Sequence, residues 1–277
     1  TVIPYYQKFL ERWPTVFDLA QADEPDVLRE WAGLGYYARG RNLLKGARMV
    51  VADYNGIFPA DIDVLQKIPG IGPYTASAIG AMAFGLKTVP VDGNVERVMT
   101  RICAIDEPLP IAKPLIKRLS QSVLDASPSV FSGDLAQAFM DLGATVCTPK
   151  SPKCSLCPVR VHCAAFAAGV PEQYPVMAPK VEKPTRQGDV YVFRNRGGQY
   201  LTVRRAGNGL LAGMPGFPTT GWDGVKAPVL AHKNSVILGT VRHSFTHFNL
   251  ILRVVQGDVY RSKSMVLEGE MGWYNVD

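Results

Sequence analysis

Apolar residues recur every three to four positions between Tyr5 and about Ala168, which is the spacing of one face of an α-helix. Clear examples run from Asp26 to Ala32, from Asn42 to Val51 and from Ile111 to Leu124. Short loops that contain Pro, Gly or Asp separate these segments, as expected where helices end. The pattern predicts a mainly α-helical domain over residues 1–168.

Beyond residue 188 the apolar period shortens to two, which is typical of half-buried β-strands. Strand-like segments begin at four positions, Asp189, Gln199, Ser235 and Asn249. The Gly-rich turn Arg196–Gly198 is expected to join the first two strands as a hairpin. We therefore expect a smaller, β-rich second domain over residues 189–277, incomplete at its C-terminus.

The segment between the two domains, residues 169–188, contains four prolines and few large apolar side chains. Proline-rich segments are extended and semi-rigid. We expect this segment to form an interdomain linker, or a tail that lies on the surface of one domain.

The charge of the chain favours an anionic partner. The 277 residues carry a net charge of +6, with a pI near 9.0. Four cations and no acid lie between Trp31 and Ala52, so part of this charge is concentrated. No apolar run approaches the ~20 residues that span a bilayer, and we expect no membrane association.

Four of the five cysteines lie within 17 residues, spaced C-x6-C-x2-C-x5-C: Cys147, Cys154, Cys157 and Cys163. A zinc ribbon has two tight pairs of cysteines, whereas only one pair here is tight. The spacing favours a [4Fe-4S] cluster, in which each iron takes one cysteine sulfur, and zinc remains the alternative. A disulfide framework is not expected, because Cys103 stands apart and no secretion signal precedes the domain. Reduced thiols indicate a reducing compartment such as the cytoplasm.

The cysteine segment, residues 147–163, also carries cations and no acid. The cations are Lys150, Lys153, Arg160 and His162. A metal-organised loop with this charge is suited to hold DNA phosphates. The alternative is a basic loop that is merely solvated.

A Gly-rich string between two helical segments predicts a second phosphate contact. It reads Pro69, Gly70, Ile71, Gly72 and Pro73. The two glycines permit a tight, partly left-handed turn, and the proline suits the first turn of the following helix. Amides at that helix N-terminus can bind an anion. The string therefore predicts a DNA-binding helix-hairpin-helix, with an ordinary αα-corner as the alternative.

Asp92 is expected at the N-terminus of the helix that runs toward Arg101. Taken alone, it is explained as a helix cap worth ~1 kcal/mol. A carboxylate fixed there would also stabilise an oxocarbenium-like transition state electrostatically, which cleavage of an N-glycosidic bond requires.

The cysteine segment, the hairpin and Asp92 together resemble the helix-hairpin-helix DNA glycosylase superfamily over nearly the whole first domain. In its endonuclease III branch, the second hairpin helix begins with a lysine that attacks the sugar. Tyr74 stands at that position, and since a phenol cannot form an imine, the resemblance implies a monofunctional enzyme. Two segments, Trp31–Leu43 and Gly133–Gly143, resemble the adenine-specific, MutY-type branch.

The second domain resembles the α+β Nudix-like domain of the same branch, which recognises 8-oxoguanine opposite the target adenine. Leu210–Pro218 carries this resemblance, and no R-E-x-x-E-E helix follows it, so pyrophosphohydrolase activity is not expected. Phe245, Thr246 and His247 match the lesion-recognition loop of the family, with threonine in place of serine. Thr246 keeps the hydroxyl group but adds a methyl group.

The resemblance implies a monomeric base-excision repair enzyme that removes adenine from A·8-oxoguanine or A·G mispairs in double-stranded DNA. The adenine would be flipped out of the stack, and Asp92 would stabilise the sugar cation until water traps it. Tyr74 and Asn94 match family positions that shape the pocket near the sugar. The four cysteines would hold a [4Fe-4S] cluster, and the enzyme would act in the bacterial cytoplasm, at the nucleoid.

One part of the family's machinery is expected upstream of Thr1. The family's general acid is a glutamate just before a Leu-Gln-Gln-Thr segment, and this sequence contains neither. Adenine departs badly without protonation. We therefore expect the chain as given to bind lesion DNA weakly or moderately and to excise adenine very poorly.

Three alternatives remain at this point. The first is an endonuclease III-like glycosylase and lyase that acts on oxidised pyrimidines. The second is a non-catalytic iron–sulfur protein that binds DNA. The third is a nucleotide hydrolase in the second domain, which the absence of an acidic helix disfavours.

Overall fold

The computed structural model describes residues 2–179, 182–205, 210–220, 222, 232–259 and 271–275. The chain divides into two compact units. The helical unit holds Thr1–Gly33 and Arg39–Pro179, and the strand unit holds Leu34–Ala38 and Lys180–Asp277. The division after Pro179 falls inside the segment predicted as a linker, residues 169–188.

Ten α-helices are found in the described chain: α1 Ile3–Arg12, α2 Val16–Gln21, α3 Glu24–Glu30, α4 Ala38–Tyr54, α5 Ile62–Leu65, α6 Pro73–Phe84, α7 Gly93–Ile102, α8 Lys113–Asp125, α9 Ser132–Asp141 and α10 Ala164–Ala167. A π-helix follows α9 at Leu142–Val146. Short 3-10 turns occur at Cys154–Leu156, Arg160–His162 and Pro171–Gln173. The helical period of the sequence is therefore confirmed in this unit.

Helix α7 lies at the centre of the largest hydrophobic core. Its Val95, Val98 and Met99 are almost fully buried and recur at the spacing of one helix face. They pack with Ile116 of α8 and Phe139 of α9 in one cluster. Each buried side chain of this size contributes ~1.5–3 kcal/mol, so the cluster fixes the position of α7.

Helix α6 is held by a second core. Val50 of α4, Leu65 of α5, Ile68 and Ala76 of α6 form one buried cluster. Because these residues lie on both sides of the Gly-rich string, the cluster holds the two arms of the predicted hairpin together.

The first residues of the predicted linker lie on the helical unit. The Leu109 amide donates to the Val176 carbonyl at 2.8 Å, and the Ala178 amide donates to the Leu109 carbonyl at 3.1 Å. The buried Tyr174 donates its hydroxyl to Asp106 at 2.8 Å. This part of the segment is therefore a tail on a surface, as one of the two interpretations expected.

The described residues of the strand unit form two small sheets. Its strands are β1 Thr185–Phe193, β2 Tyr200–Arg204, β3 Pro215–Gly216, β4 His232–Ser244, β5 Asn249–Val259 and β6 Met271–Tyr274. One sheet has the order β1-β5-β4, with β1 parallel and β4 antiparallel to β5. The other has the order β3-β2-β6 and is antiparallel.

The prediction that the first two strands form a hairpin is correct for the turn but wrong for the strand pairing. The Gly198 amide closes the turn by donating to the Asn195 carbonyl at 3.0 Å. However, β1 and β2 belong to different sheets. Pairing across the turn is limited to an isolated bridge between Arg194 and Tyr200 and to the Asn195 amide, which donates to the Gln199 carbonyl at 2.9 Å. The reason is that β1 pairs along its whole length with β5, which leaves β2 to pair with β3 and β6.

Candidate functional site

The Gly-rich string forms the turn between α5 and α6. Gly70 has φ +88°, and an added Cβ would lie 3.2 Å from Cβ of Asn42, so this position requires glycine. Gly72 is the N-cap of α6 with φ −84°, and the expectation of a left-handed turn is thus met by Gly70 alone. Pro73 occupies the first turn of α6, as predicted. Gly70 and Gly72 are exposed, while Pro69 and Ile71 are partly buried.

Asp92 is the N-cap of α7, as the sequence predicted. One carboxylate oxygen accepts from the amides of Asn94 and Val95, both at 2.8 Å. The other oxygen accepts from the Asn94 side-chain amide at 3.0 Å. A negative charge at a helix N-terminus is favourable, and three hydrogen bonds fix the orientation of this carboxylate.

Tyr74 lies in the first turn of α6 and is 44% exposed. Burial, and then the charge of Asp92, raise the pKa of the Tyr74 phenol. The phenol therefore stays neutral at physiological pH. The start of α6 thus carries a neutral hydroxyl group that is within the electrostatic influence of the fixed Asp92 carboxylate.

Arg97 connects this carboxylate to the cysteine segment, a role that the sequence pattern did not predict. Its guanidinium donates to the side-chain oxygen of Asn94 at 2.8 Å and to the carbonyl oxygens of Gly143 and Cys147, both at 2.7 Å. Burial lowers the pKa of Arg97, but a guanidinium remains protonated in proteins. Asn94, which also donates to Asp92, is therefore held from both sides.

The π-helix brings Gly143 against α7. Gly143 is buried, and an added Cβ would lie 2.6 Å from Cβ of Asn94. Single-turn π-helices inside α-helices are frequent at functional sites. Here the π-helix leads directly into Cys147, whose amide donates to the Leu142 carbonyl at 2.7 Å.

Arg101 is a second missed residue, one turn further along α7. It is 1% exposed. Its guanidinium donates to the Cys147 sulfur at 3.3 Å and to the carbonyls of Thr148, Pro149 and Tyr174 at 2.7, 3.0 and 3.1 Å. An arginine in an amphipathic helix is usually exposed, and only the fold of a segment 46 or more positions later buries this one.

The four cysteines line one pocket together with Arg101 and Arg160. Burial, and then the neighbouring thiols of Cys147, Cys163 and Cys157, raise the pKa of Cys154. A [4Fe-4S] cluster takes one cysteine sulfur per iron, and four cysteines around one pocket fit an iron–sulfur cluster.

The predicted cations of this segment point outward. Lys150, Lys153, Arg160 and His162 are exposed, and the guanidinium of Arg160 lies 5.7 Å from the ring centre of Phe166. The cysteine segment thus has its four sulfurs and Arg101 around the pocket and its lysines, Arg160 and His162 at the surface.

The predicted recognition residues lie in the turn between β4 and β5. We call Phe245–Phe248 the recognition turn, and the Phe245 amide closes it by donating to the Phe248 carbonyl at 2.9 Å. Thr246 and His247 are exposed, whereas Phe245 is partly buried. Within the strand unit, the hydroxyl groups of Thr246 and Tyr36 lie 3.0 Å apart.

The helices that the structure describes include none that is both long and apolar enough to cross a membrane.

Three family descriptions match consecutive parts of the chain. Residues 1–123 match the HhH-GPD superfamily base excision DNA repair protein, residues 147–163 the iron–sulfur binding domain of endonuclease III, and residues 189–277 the NUDIX domain. An adenine DNA glycosylase from Homo sapiens is 35% identical over 98% of this chain and 59% of its own length. The chain belongs to the helix-hairpin-helix DNA glycosylase superfamily, in its MutY-type branch.

Other MutY-type relatives agree. The adenine DNA glycosylase of Arabidopsis thaliana is 38% identical over 79% of this chain and 40% of its own. That of Mycobacterium tuberculosis is 36% identical over 74% of this chain and 65% of its own. The chain thus spans from about two fifths to just under two thirds of these relatives' lengths.

Solved structures of the superfamily resemble the fold. A thermostable thymine-DNA glycosylase is 27% identical with a TM-score of 0.53, and a non-covalent endonuclease III–DNA complex is 25% identical with a TM-score of 0.51. Each match covers 60% of this chain and 76% of the solved chain.

Proposed function

We propose that this protein removes adenine from A·8-oxoguanine and A·G mispairs in double-stranded DNA, as a monofunctional glycosylase of base-excision repair. The observation that carries the proposal is the Asp92 carboxylate, which three hydrogen bonds fix at the N-terminus of α7. The neutral Tyr74 hydroxyl group lies near it, at the position where the lyase branch has an amine. The adenine specificity is supported by the names of the relatives.

DNA binding would use two phosphate-binding features of the helical unit. The exposed Gly70 and Gly72 leave the N-terminus of α6 open to a close approach by the DNA backbone. Lys150, Lys153 and Arg160 present positive charge to a neighbouring stretch of phosphates. These contacts carry no sequence information, which suits an enzyme that must find a lesion in any context.

The chemistry proposed for Asp92 is electrostatic. As the bond between adenine and sugar breaks, positive charge develops on the sugar, and a carboxylate that is already oriented stabilises it. Arg97 and Asn94 keep the carboxylate in place, since Asn94 donates to Asp92 while it accepts from Arg97. Adenine gains one proton and leaves as the neutral base, while water adds to the sugar cation and loses one proton. No amine is offered at position 74, so no covalent adduct forms.

Cys147, Cys154, Cys157 and Cys163 would hold a [4Fe-4S] cluster, which supplies a fixed framework for the loop that carries Lys150, Lys153 and Arg160. Arg101 would support that loop by binding three of its atoms at Cys147, Thr148 and Pro149. The cysteine chemistry suits a reducing compartment, and we propose the bacterial cytoplasm. We also propose that the enzyme acts as a monomer.

The strand unit is proposed to recognise 8-oxoguanine through Thr246 and His247. Both are exposed at the recognition turn, and the Thr246 hydroxyl group can donate or accept. Phe245 would support the turn from below, because its ring stacks on Phe248 at 4.8 Å between ring centres. We propose residues 1–168 as the glycosylase domain, residues 169–188 as the linker and residues 189–277 as the lesion-recognition domain.

Binding to four duplexes tests this proposal. Fluorescence anisotropy would compare A·8-oxoguanine, A·G, C·8-oxoguanine and A·T duplexes of one sequence at one salt concentration. We expect A·8-oxoguanine to bind most tightly and A·T least tightly. Equal affinity for all four would leave a DNA-binding protein without lesion recognition and would overturn the proposal. A DNA adduct trapped by borohydride would instead favour the lyase branch.

A further inference from the structure

The segment just before β1 lies on the recognition turn. The Lys183 ammonium donates to the Phe245 carbonyl at 2.9 Å. The Asn249 amide, at the other end of the turn, donates to the Pro184 carbonyl at 3.0 Å. We call Lys183–Arg186 the clasp, since its residues contact both ends of the turn. The clasp includes the first two residues of β1.

A row of stacked side chains extends from the clasp into the recognition turn. The guanidinium of Arg186 lies 4.2 Å from the ring centre of Phe248. Phe248 stacks on Phe245 at 4.8 Å and 30°, and Phe245 meets the edge of His243 at 4.5 Å. These distances fall within the range of cation–π and aromatic pairing. The clasp thus contacts the recognition turn at two points. Lys183 binds the Phe245 carbonyl, and Arg186 lies over the buried ring of Phe248.

The backbone pairing sets the position of the clasp. Thr185 and Arg186 are opposite Asn249 and Leu250 in the parallel register of β1 with β5. Arg186 and the recognition turn therefore lie at the same end of the sheet. Lys183 and Arg186 themselves are exposed, so replacing them removes contacts to the turn without opening a core.

We propose that Lys183 and Arg186 are positioning residues that hold the recognition turn in the conformation that presents Thr246 and His247. The clasp thereby sets the preference for 8-oxoguanine over guanine opposite adenine, an inference that rests on the proposed lesion recognition by this turn. A turn that is ordered before binding loses less entropy on binding. Loosening it weakens the contacts that distinguish the two bases and leaves the phosphate contacts of the helical unit unchanged.

The test measures the ratio of Kd values for A·G and A·8-oxoguanine duplexes. Arg186→Met keeps the length of the side chain but removes the cation, and we expect the ratio to fall about two- to fivefold. Arg186→Lys keeps the cation and should restore most of the ratio, and Lys183→Met should act like Arg186→Met. Arg196→Met, which changes an exposed arginine at the turn after β1, is the matched control and should leave the ratio unchanged.

Hydrogen exchange provides a readout that does not depend on DNA. In Arg186→Met, the amides of Phe245 and Asn249 should exchange faster, while those of β2 keep their wild-type rates. Unchanged exchange together with an unchanged ratio overturns the clasp. An equal loss of affinity for both duplexes also overturns it, because Arg186 would then be a phosphate contact. If the wild type itself shows no preference, the proposed lesion recognition fails rather than the clasp.

Discussion

At the scale of single residues, two buried arginines of α7 connect the candidate active site with the cysteine segment. Arg97 and Arg101 are four positions apart, so both project from one face of the helix. Burying a guanidinium is costly unless it is hydrogen bonded, and each of these donates to at least three acceptors. Both therefore depend on the segment around Cys147 being folded, and that segment depends on them.

Replacing Arg101 with methionine should weaken retention of the iron–sulfur cluster. The change keeps the apolar length of the side chain but removes the donor that binds the Cys147 sulfur and the carbonyls of Thr148, Pro149 and Tyr174. Groups that support metal ligands are typically worth 10–100-fold in metal affinity, so we expect iron loss to a chelator to rise by about tenfold or more. Iron per protein and visible absorbance measure this. Arg118→Met, on the exposed face of α8, is the control, and equal iron retention in both variants would contradict the assigned role.

At the scale of elements, the starts of α6 and α7 could be predicted because local chemistry determines them. Pro73 begins one helix and Asp92 caps the other, and both signals lie within three residues of the helix they start. The partners of β1 could not be predicted in this way. It pairs in parallel with β5, whose first residue is 64 positions beyond that of β1, and no local pattern specifies such a partner.

The helix-hairpin-helix turn allows a prediction with an internal control. Gly70→Ala places a Cβ on a left-handed residue, and it should cost roughly 1–2 kcal/mol of stability. Gly72 has a φ of −84° and no atom within 4 Å of an added Cβ. The free energy of unfolding of Gly72→Ala should therefore be close to that of wild type. Its DNA affinity should be lower, because the added methyl group lies where the DNA backbone is proposed to approach α6.

Thermal unfolding and anisotropy on one duplex would separate these two effects. Roughly 1–2 kcal/mol corresponds to a Tm lower by about 2–8 °C in a protein of this size. A Gly72→Ala protein with wild-type DNA affinity would show that the N-terminus of α6 does not face the DNA.

At the scale of the whole molecule, the residues that could be predicted are those whose chemistry is local or strongly spaced. The four cysteines, which line one pocket, the Gly-rich string before α6 and Asp92 at the start of α7 belong to this group. Arg97, Arg101 and the clasp could not be predicted, because each acts across a contact made only in the folded chain. The proposed carboxylate, Asp92, and its partner Asn94 were thus visible in the sequence, whereas Arg97, which holds Asn94, was not.

Adenine release from an A·8-oxoguanine duplex by wild type and Asp92→Asn tests the central claim most directly. Asparagine is as good an N-cap as aspartate, so the variant should keep its fold and its DNA affinity while it loses the charge. Single-turnover conditions with excess enzyme separate the chemical step from product release. Asp18→Asn, in the capping box of α2, is the matched control. We predict equal excision rates for wild type and the control, and a rate at least about 100-fold lower for Asp92→Asn; equal rates in all three proteins would contradict the account.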